Sequence, residues 1–364
     1  MIAKLVAANL SQRPVRTLLS VLLIAIPVTL MLTLVGLSHG FVNDSSQRTR
    51  GIGADIIVRS PDSHIGTVGL SNMPVKLIDR LEKLPHVTFG TGVASHLVSG
   101  WTTVSGIDLP AFERMSGKFV FREGHSFEKP DDILLDTYYA QQAHVHAGSK
   151  INLLNRDWNV AGIVEPGKLA HIFLPLSVLQ DLDGTPGKVA QIYLKLDDSA
   201  NTNAVVDEIK NLLPGYNVYG VEELVSLTSV DNVPFLRPLL NVIIGVAVLI
   251  GAAVASLSMY MAVQQRTREI GILKSLGASK ILVLKIILME ALFLGLGGSI
   301  LGIGFSFLSR WALAKLVPAS LPQAIVPEWW PIAGAIAMGA AILGALYPGM
   351  LAARQDPIQA LAYE

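Results

Sequence analysis

The sequence contains no cysteine. Disulfides, a cysteine-based zinc site, c-type haem attachment and a thiol nucleophile are therefore excluded. The absence does not exclude an oxidising compartment, because large domains fold there without disulfides. Charge is scarce as well. Only 15% of the 364 residues are Asp, Glu, Lys or Arg, and 51% are hydrophobic; a soluble domain carries about 25% charged residues. The formal net charge is zero, so the whole-chain field gives no reason to expect nucleic acid as a partner. No G-x-x-x-x-G-K-[ST] phosphate loop occurs, and the G-x-S-x-G match at Gly36–Gly40 closes a long apolar run where a nucleophile elbow would follow a strand. The chain is expected neither to bind nor to hydrolyse ATP itself, to hold no cofactor, and to carry no catalytic residue.

What the sequence has instead is long apolar runs, concentrated in four places. The first, 17–38, holds no charge; the second is 239–263; the third, about 281–309, is interrupted by Lys285 and Glu290; the fourth is 329–353. About 20 helical residues at 1.5 Å each cross the hydrocarbon core. The first run is longer than a signal-peptide apolar core and lacks an A-x-A site after it, so it reads as a retained helix. Lys4, Arg13 and Arg16 precede it, Arg266, Arg268, Lys274 and Lys280 lie between runs two and three, and Arg354 follows run four. The positive-inside rule then places both termini and the 264–280 loop in the cytoplasm and the large insert outside. Trp311, Trp329 and Trp330 suit interfacial anchors on the outer side. At the start, Ile2, Leu5, Val6 and Leu10 recur at helical spacing, as in a short amphipathic surface helix.

The expected fold is an α-helical membrane protein with four transmembrane helices and a large extracytoplasmic α/β (α+β) domain between helices 1 and 2. The boundaries are a surface helix at 1–15, helix 1 at 16–39, the outer domain at 40–235, helix 2 at 236–263, a loop at 264–280, helix 3 at 281–309, a short outer loop at 310–328, helix 4 at 329–353 and a tail at 354–364. In the insert, Val75, Ile78, Leu81 and Leu84 share one helical face, and Val205, Val206, Ile209, Leu212 and Leu213 share another. Strands are expected at 54–60, 96–107, 150–164 and 190–196, with a hairpin turn near Asn155-Arg156-Asp157.

Titratable residues in the insert do not form a recognisable site. His144 and His146 are two apart and His171 follows later, whereas a metal needs three or four converging ligands. Asp131, Asp132 and Asp136 flank an expected strand and read as turn and cap residues. Glu290 lies about ten residues into the third run, roughly 15 Å deep. A charge there costs about 2.5–3.5 kcal/mol on insertion scales, so it should face protein, with Ser256 and Tyr347 at matching depth. It reads either as a polar clamp between helices or as a relay or gate residue. Gly298 and Gly302 form a G-x-x-x-G, which allows close helix approach, either within the chain or across a dimer seam. Paired broken helices or inverted repeats, the marks of a secondary transporter, are not visible.

The loop "QQRTREIGILKSLGASK", 264–280, is charged, helical in pattern and apolar at once. Gly277 suits a helix C′ position, and Ser279 suits the cap of the next helix. Ile270 and Leu273 share a face, while Arg268, Glu269 and Lys274 stay wet. The positive-inside rule explains the arginines but not Ile270, Ile272, Leu273 and Leu276. A compact helix with an apolar ridge suits docking into a groove on another protein.

The stretch "RTREIGILKSLGASKILVLKIILMEALFLGLGGSILG", 266–302, resembles the core of the FtsX-like permeases, the MacB and LolC/LolE type of ABC transporter membrane subunit. The end, "YPGMLAARQDPIQALAYE", and the opening, "NLSQRPVRTLLSVLLIAI", are similar to that family's, and the insert resembles its periplasmic domain more loosely. The resemblance implies a half-transporter in a bacterial inner membrane. Two permease copies, as a homodimer or heterodimer, would assemble with an ABC ATPase subunit that binds ATP and Mg. The short helix would couple to that ATPase through Arg266, Thr267, Arg268, Glu269, Ile270, Gly271, Ile272, Leu273, Lys274, Ser275, Leu276, Gly277 and Ala278. The outer domain would move mechanically, for export or extraction of a lipid, lipoprotein, peptide or toxic compound. Membrane lipids and a periplasmic adaptor or acceptor protein complete the expected partners. The alternative within the family is an FtsX-like regulator of a cell-wall hydrolase that transports nothing. The MacB type carries a fused N-terminal ATPase domain; this chain starts at its surface helix, so the ATPase is expected on a separate chain.

Overall fold

The computed structural model describes residues 6, 9–12, 14–61, 63, 72–99, 102–227, 236–316 and 323–355. The expected surface-helix residues Ile2, Lys4, Leu5 and Arg13, Trp101, and the tail motif from Asp356 onward lie outside these. The chain divides into two compact units, one of residues 1–39, 235–313 and 323–364, the other of residues 40–234 and 314–322.

The first unit is built on four helices long and apolar enough to cross a membrane: Pro14–Arg50, Leu236–Gln265, Lys280–Leu316 and Trp329–Arg354. The first and third outrun their apolar cores. The first continues to Arg50 because its polar end still supports a helix: Asp44 and Arg48 pair at 2.8 Å across one turn, and Thr49 Oγ1 donates to Ser45 O at 2.8 Å. Residues past His39 belong to the second unit. Small residues set how closely the spans meet. A Cβ on Gly298 or Gly302 would stand 2.5 Å from the Ile24 side chain or 2.6 Å from that of Val28, both on the first span. One on Gly344 of the fourth span would stand 2.1 Å from the Ala252 carbonyl oxygen on the second. Gly295 brings the third span against Met338 of the fourth, where a Cβ would have only 3.0 Å. Where lipid and side chains are equally apolar, such close backbone approach supplies the packing energy.

The second unit is a mixed sheet with short helices. Its strands are β1 (Ile56–Arg59), β2 (Met73–Pro74), β3 (Val87–Ser99), β4 (Thr102–Ile107), β5 (Phe121–Gly124), β6 (Asp132–Asp136), β7 (Lys150–Leu153), β8 (Arg156–Val164), β9 (Ile172–Pro175), β10 (Lys188–Val189), β11 (Gln191–Leu196) and β12 (Asn217–Gly220). The main sheet runs β12-β1-β11-β3-β4-β9-β6-β8-β5, with β7 paired to β8 and a separate β10-β2 ladder. Pairings are antiparallel except β4 with β9 and β6 with β8. Both faces are buried, and the period of two sorts the side chains. Ile57, Leu134, Phe173 and Tyr193 enter one core with Phe112 and Phe119. Their neighbours Ile56, Val58, Ile192 and Leu194 enter a second with Val205, Val206 and Ile209 of helix Thr202–Leu212. Ile133, Leu135, Ile172 and Leu174 enter a third around Trp158.

Two expectations are corrected here. Residues 96–107 are not one strand: β3 reverses into β4, with Leu97 opposite Thr103. The β7–β8 turn sits one residue early, on Leu154 and Asn155, whose φ values of 54° and 56° match the two left-handed positions of a tight hairpin turn. Helices Leu109–Ser116, Thr137–Ala143, Leu176–Leu182 and Val221–Leu227 have eight residues or fewer, too short to show a periodicity. Two of them carried a readable cap. Asp108 accepts from Ala111 N at 3.3 Å, and Asp136 accepts from Tyr139 N at 2.8 Å.

Candidate functional site

Between the second and third spans the chain forms a helix at Thr267–Ser275. It begins where the second span breaks at Arg266, whose φ of −119° and ψ of 18° leave the helical region. It ends at Gly277, with φ +95°, a conformation that glycine adopts cheaply. The end is tied by Gly277 N donating to Lys274 O at 3.0 Å and Ala278 N to Leu273 O at 3.0 Å. Ser279 Oγ then accepts from Leu282 N at 3.2 Å at the start of the third span.

The helix has an inner and an outer side. Gly271 and Thr267 are buried, and Thr267 Oγ1 donates to Val263 O and Gln264 O at 3.1 and 3.0 Å. Ile270 and Leu273 face a cavity of about 180 Å³ with Met259, Val283, Ile287 and the carboxyl-bearing Glu290. Lys274 is half-buried, and its Nζ donates to Ala353 O at 3.1 Å and to Gln355 O at the end of the fourth span. Facing out are Arg268 and Ser275, with Ile272 44% and Leu276 80% exposed, while the exposed Glu269 stands at the rim of the cavity. The apolar residues open to a partner are therefore Ile272 and Leu276, four apart and in line with Arg268. Ile270 and Leu273, which the sequence pattern singles out, are half-buried and line the cavity, with Ile270 packed against the core of the spans.

Behind the helix lies a buried ion pair. Arg266 Nη1 stands 3.4 Å from Glu290 Oε2, with side chains 10% and 7% exposed. Arg266 Nη2 also donates to Asn9 O at 2.9 Å. Arg16 lines a small adjoining pocket with Ser20, Ser258, Arg266 and Glu290, and its Nη2 donates to Ser258 O at 2.7 Å. This corrects the expected environment of Glu290. Its partner is not Ser256 or Tyr347, which is 68% exposed, and the carboxylate is not without a basic partner. Counting depth along one helix misses a guanidinium that folds inward from a neighbouring helix end. Arginine's long stem and planar fork suit that reach.

The remaining candidates sit elsewhere. Gly298 and Gly302 pack on the first span of the same chain. His144 is the left-handed C-cap of Thr137–Ala143, His146 Nδ1 pairs with Glu123 at 3.2 Å, and His171 is buried beside Asp136. No group of three metal-ligating side chains occurs among the described residues. Asp132 takes hydrogen bonds from Glu128 N, Lys129 N and Asn159 Nδ2 at 2.9, 2.8 and 3.0 Å, and so works as a turn-holding acceptor.

Four membrane-length helices with an α/β domain inserted after the first and a short tethered helix before the third have the architecture of a multi-pass membrane protein. Residues 17–212 match the MacB-like periplasmic core domain and residues 241–357 the FtsX-like permease C-terminal region. The chain belongs to the MacB/FtsX-like family of ABC transporter permeases. It is 26% identical to the ABC transporter permease MJ1507 of Methanocaldococcus jannaschii over 98% of this chain and 96% of that protein. It is 22% identical to the macrolide export ATP-binding/permease protein MacB of Acinetobacter baylyi, over 98% of this chain but only 58% of that protein. The crystal structure of the periplasmic region of MacB from Actinobacillus actinomycetemcomitans aligns with 48% of this chain and 92% of that one, at 16% identity and a TM-score of 0.37.

Proposed function

We propose that the chain is the non-catalytic transmembrane subunit of an ABC transporter, coupling ATP hydrolysis on a separate subunit to movement of its outer domain. The observation that carries this reading is the Thr267–Ser275 helix, which presents Ile272 and Leu276 outward on a tethered base. An exposed apolar pair on a helix held from behind by Ile270, Lys274 and the Arg266–Glu290 pair can pass a push from a partner into the third and fourth spans. ATP and Mg belong on the partner. The lysine and arginine distribution supports a cytoplasmic position for this helix and both termini, and the family resemblance is the ground for assigning the chain to a bacterial inner membrane. Two permease copies and two ATPase subunits form the working assembly. The cargo class is a lipid, lipoprotein, peptide or toxic compound, handed to an adaptor or acceptor outside.

The test is affinity purification of the full chain in mild detergent, with mass spectrometry and an ATPase assay. A nucleotide-binding subunit is expected with the wild type and lost with Leu276→Asp or Ile272→Asp, while membrane insertion and thermal stability stay unchanged. Co-purification of that subunit at wild-type yield with both variants overturns the docking role. A cell-wall hydrolase recovered from the outer side, in place of an adaptor, would replace export with regulation.

A further inference from the structure

The second unit holds a buried charged cluster that the transport reading does not use. It joins residues 40–50, the polar end of the first helix, to the ends of β6 and β9. Asp136 closes β6. Its Oδ1 accepts from Tyr139 N at 2.8 Å, and its Oδ2 lies 2.5 Å from His171 Nδ1. Asp136 N also donates to His171 O at 2.9 Å. Both carboxylate oxygens act as acceptors, so Nδ1 carries the ring proton. The other ring nitrogen, Nε2, points at Asp44 Oδ2 at 3.8 Å, too far for a hydrogen bond. Both atoms are sealed from solvent and have no hydrogen-bond partner. Asp44 Oδ2 is also 2.8 Å from Arg48 Nη2, an ion pair without hydrogen-bond alignment. The His171 side chain is 3% exposed and that of Asp136 1%.

With Nδ1 protonated and Nε2 bare, a nitrogen lone pair faces a carboxylate lone pair. The cluster then holds two carboxylates, one guanidinium and a neutral ring, so it carries one net negative charge. A single added proton on Nε2 changes both facts. The cluster becomes neutral, and the opposed lone pairs become a donor and an acceptor. We propose that Asp44, His171 and Asp136 form a proton-binding latch, in which proton uptake between His171 Nε2 and Asp44 fastens the 40–50 helix segment to the outer domain. The charged groups facing the ring, among the described residues, are Asp44 and Arg48 from the helix and Asp136 from β6. Lys168, in the preceding loop, is turned away onto Gly117 O and Lys118 O at 2.6 and 3.0 Å. The latch acts beside an existing backbone contact, Leu169 N to Arg48 O at 3.0 Å. It is closed in acid and released as pH rises, because the bound proton is what joins the two sides. It is independent of which cargo or ATPase the transporter uses.

The test is hydrogen–deuterium exchange of the full chain in lipid nanodiscs, reading the amides of residues 40–50 and correcting for the intrinsic pH dependence of exchange. On going from about pH 8 to about pH 5, the wild type should gain roughly tenfold or more in protection, the effect of one charge-assisted hydrogen bond. Asp44→Asn supplies a permanent N–H donor to Nε2. It should show the wild-type low-pH protection at both ends, with no pH dependence. His171→Gln should also be flat, at the weaker level. A flat wild-type profile overturns the proposal, as does a wild-type pH response retained in Asp44→Asn. If His171→Gln fails to fold, the other two profiles decide.

Discussion

The two units put several glycines to different uses, although Gly277 of the first has positive φ and Gly51, Gly90, Gly92, Gly106 and Gly162 of the second leave no room for a Cβ. In the outer domain, Gly53, Gly117, Gly124, Gly148, Gly167, Gly184, Gly187 and Gly215 all have positive φ, and most have open space where a side chain would go. They are there for backbone conformation. In the membrane helices, Gly298, Gly302 and Gly344 have ordinary helical backbone and no room at all. They are there for contact. Polar groups differ in the same sense. In the outer domain the buried Asp132 and Asp136 each accept from backbone N–H groups at a turn or cap beside their side-chain partners Asn159 and His171, whereas the membrane unit folds one arginine inward onto one glutamate. The outer domain sets its chain direction with these turn glycines, and the spans set their separation with glycines that leave no room for a Cβ.

The largest test of that contrast is Gly344→Ala. Its Cβ would meet the Ala252 carbonyl oxygen, a backbone atom that cannot turn aside, so the second and fourth spans must part. We expect loss of the monodisperse peak in detergent size exclusion. Gly339→Ala, on the same helix with nothing within 4 Å, should elute and melt as wild type. Equal behaviour of the two variants would dissolve the comparison.

Next in size is the ion pair. Glu290→Ala leaves the Arg266 guanidinium buried and unpaired, and removing one partner of a buried pair costs about 3–5 kcal/mol. Arg266→Met with Glu290→Leu should recover much of that loss, because two apolar side chains need no compensation. A double variant less stable than Glu290→Ala, measured by thermal unfolding in detergent, would mean that Arg266 has a further obligatory role through Asn9.

The smallest effect concerns acid. Burial alone would raise the Asp132 carboxyl, but hydrogen bonds from Asn159 and the Glu128 and Lys129 amides outweigh it and hold the group below its ordinary value of 3.8. A lowered carboxyl contributes stability that is fully present above the unfolded value and lost as pH falls through the folded one. Outer-domain unfolding, followed by Trp158 fluorescence, should therefore weaken below about pH 4, and Asp132→Asn should flatten that arm. An unchanged acid arm in Asp132→Asn would assign it to other carboxylates.

Much of the architecture was legible because its causes are local. An uncharged run such as 17–38 has one low-energy fate, Gly277 just after a short apolar-periodic stretch suits a left-handed helix end, and Val205, Val206 and Ile209 fall on one face by spacing alone. The loop between the second and third spans was recognisable for the same reason, since its charge and its apolar residues share seventeen positions. The outer sheet was less legible. Its 13-residue β3 and the parallel pairs β4–β9 and β6–β8 join distant segments, and no spacing records such partners.

Four spans, the insert after the first and the short helix in the 264–280 loop were readable from residue order, because hydropathy, periodicity and capping act over a few neighbouring residues. Packing was needed to show that Arg266 answers Glu290, that Gly298 and Gly302 close on the first span, and that Ile272 and Leu276 are more exposed than Ile270 and Leu273. Each of those depends on which helix lies beside which, and a side chain's partner across two helices leaves no trace in the order of residues along either one.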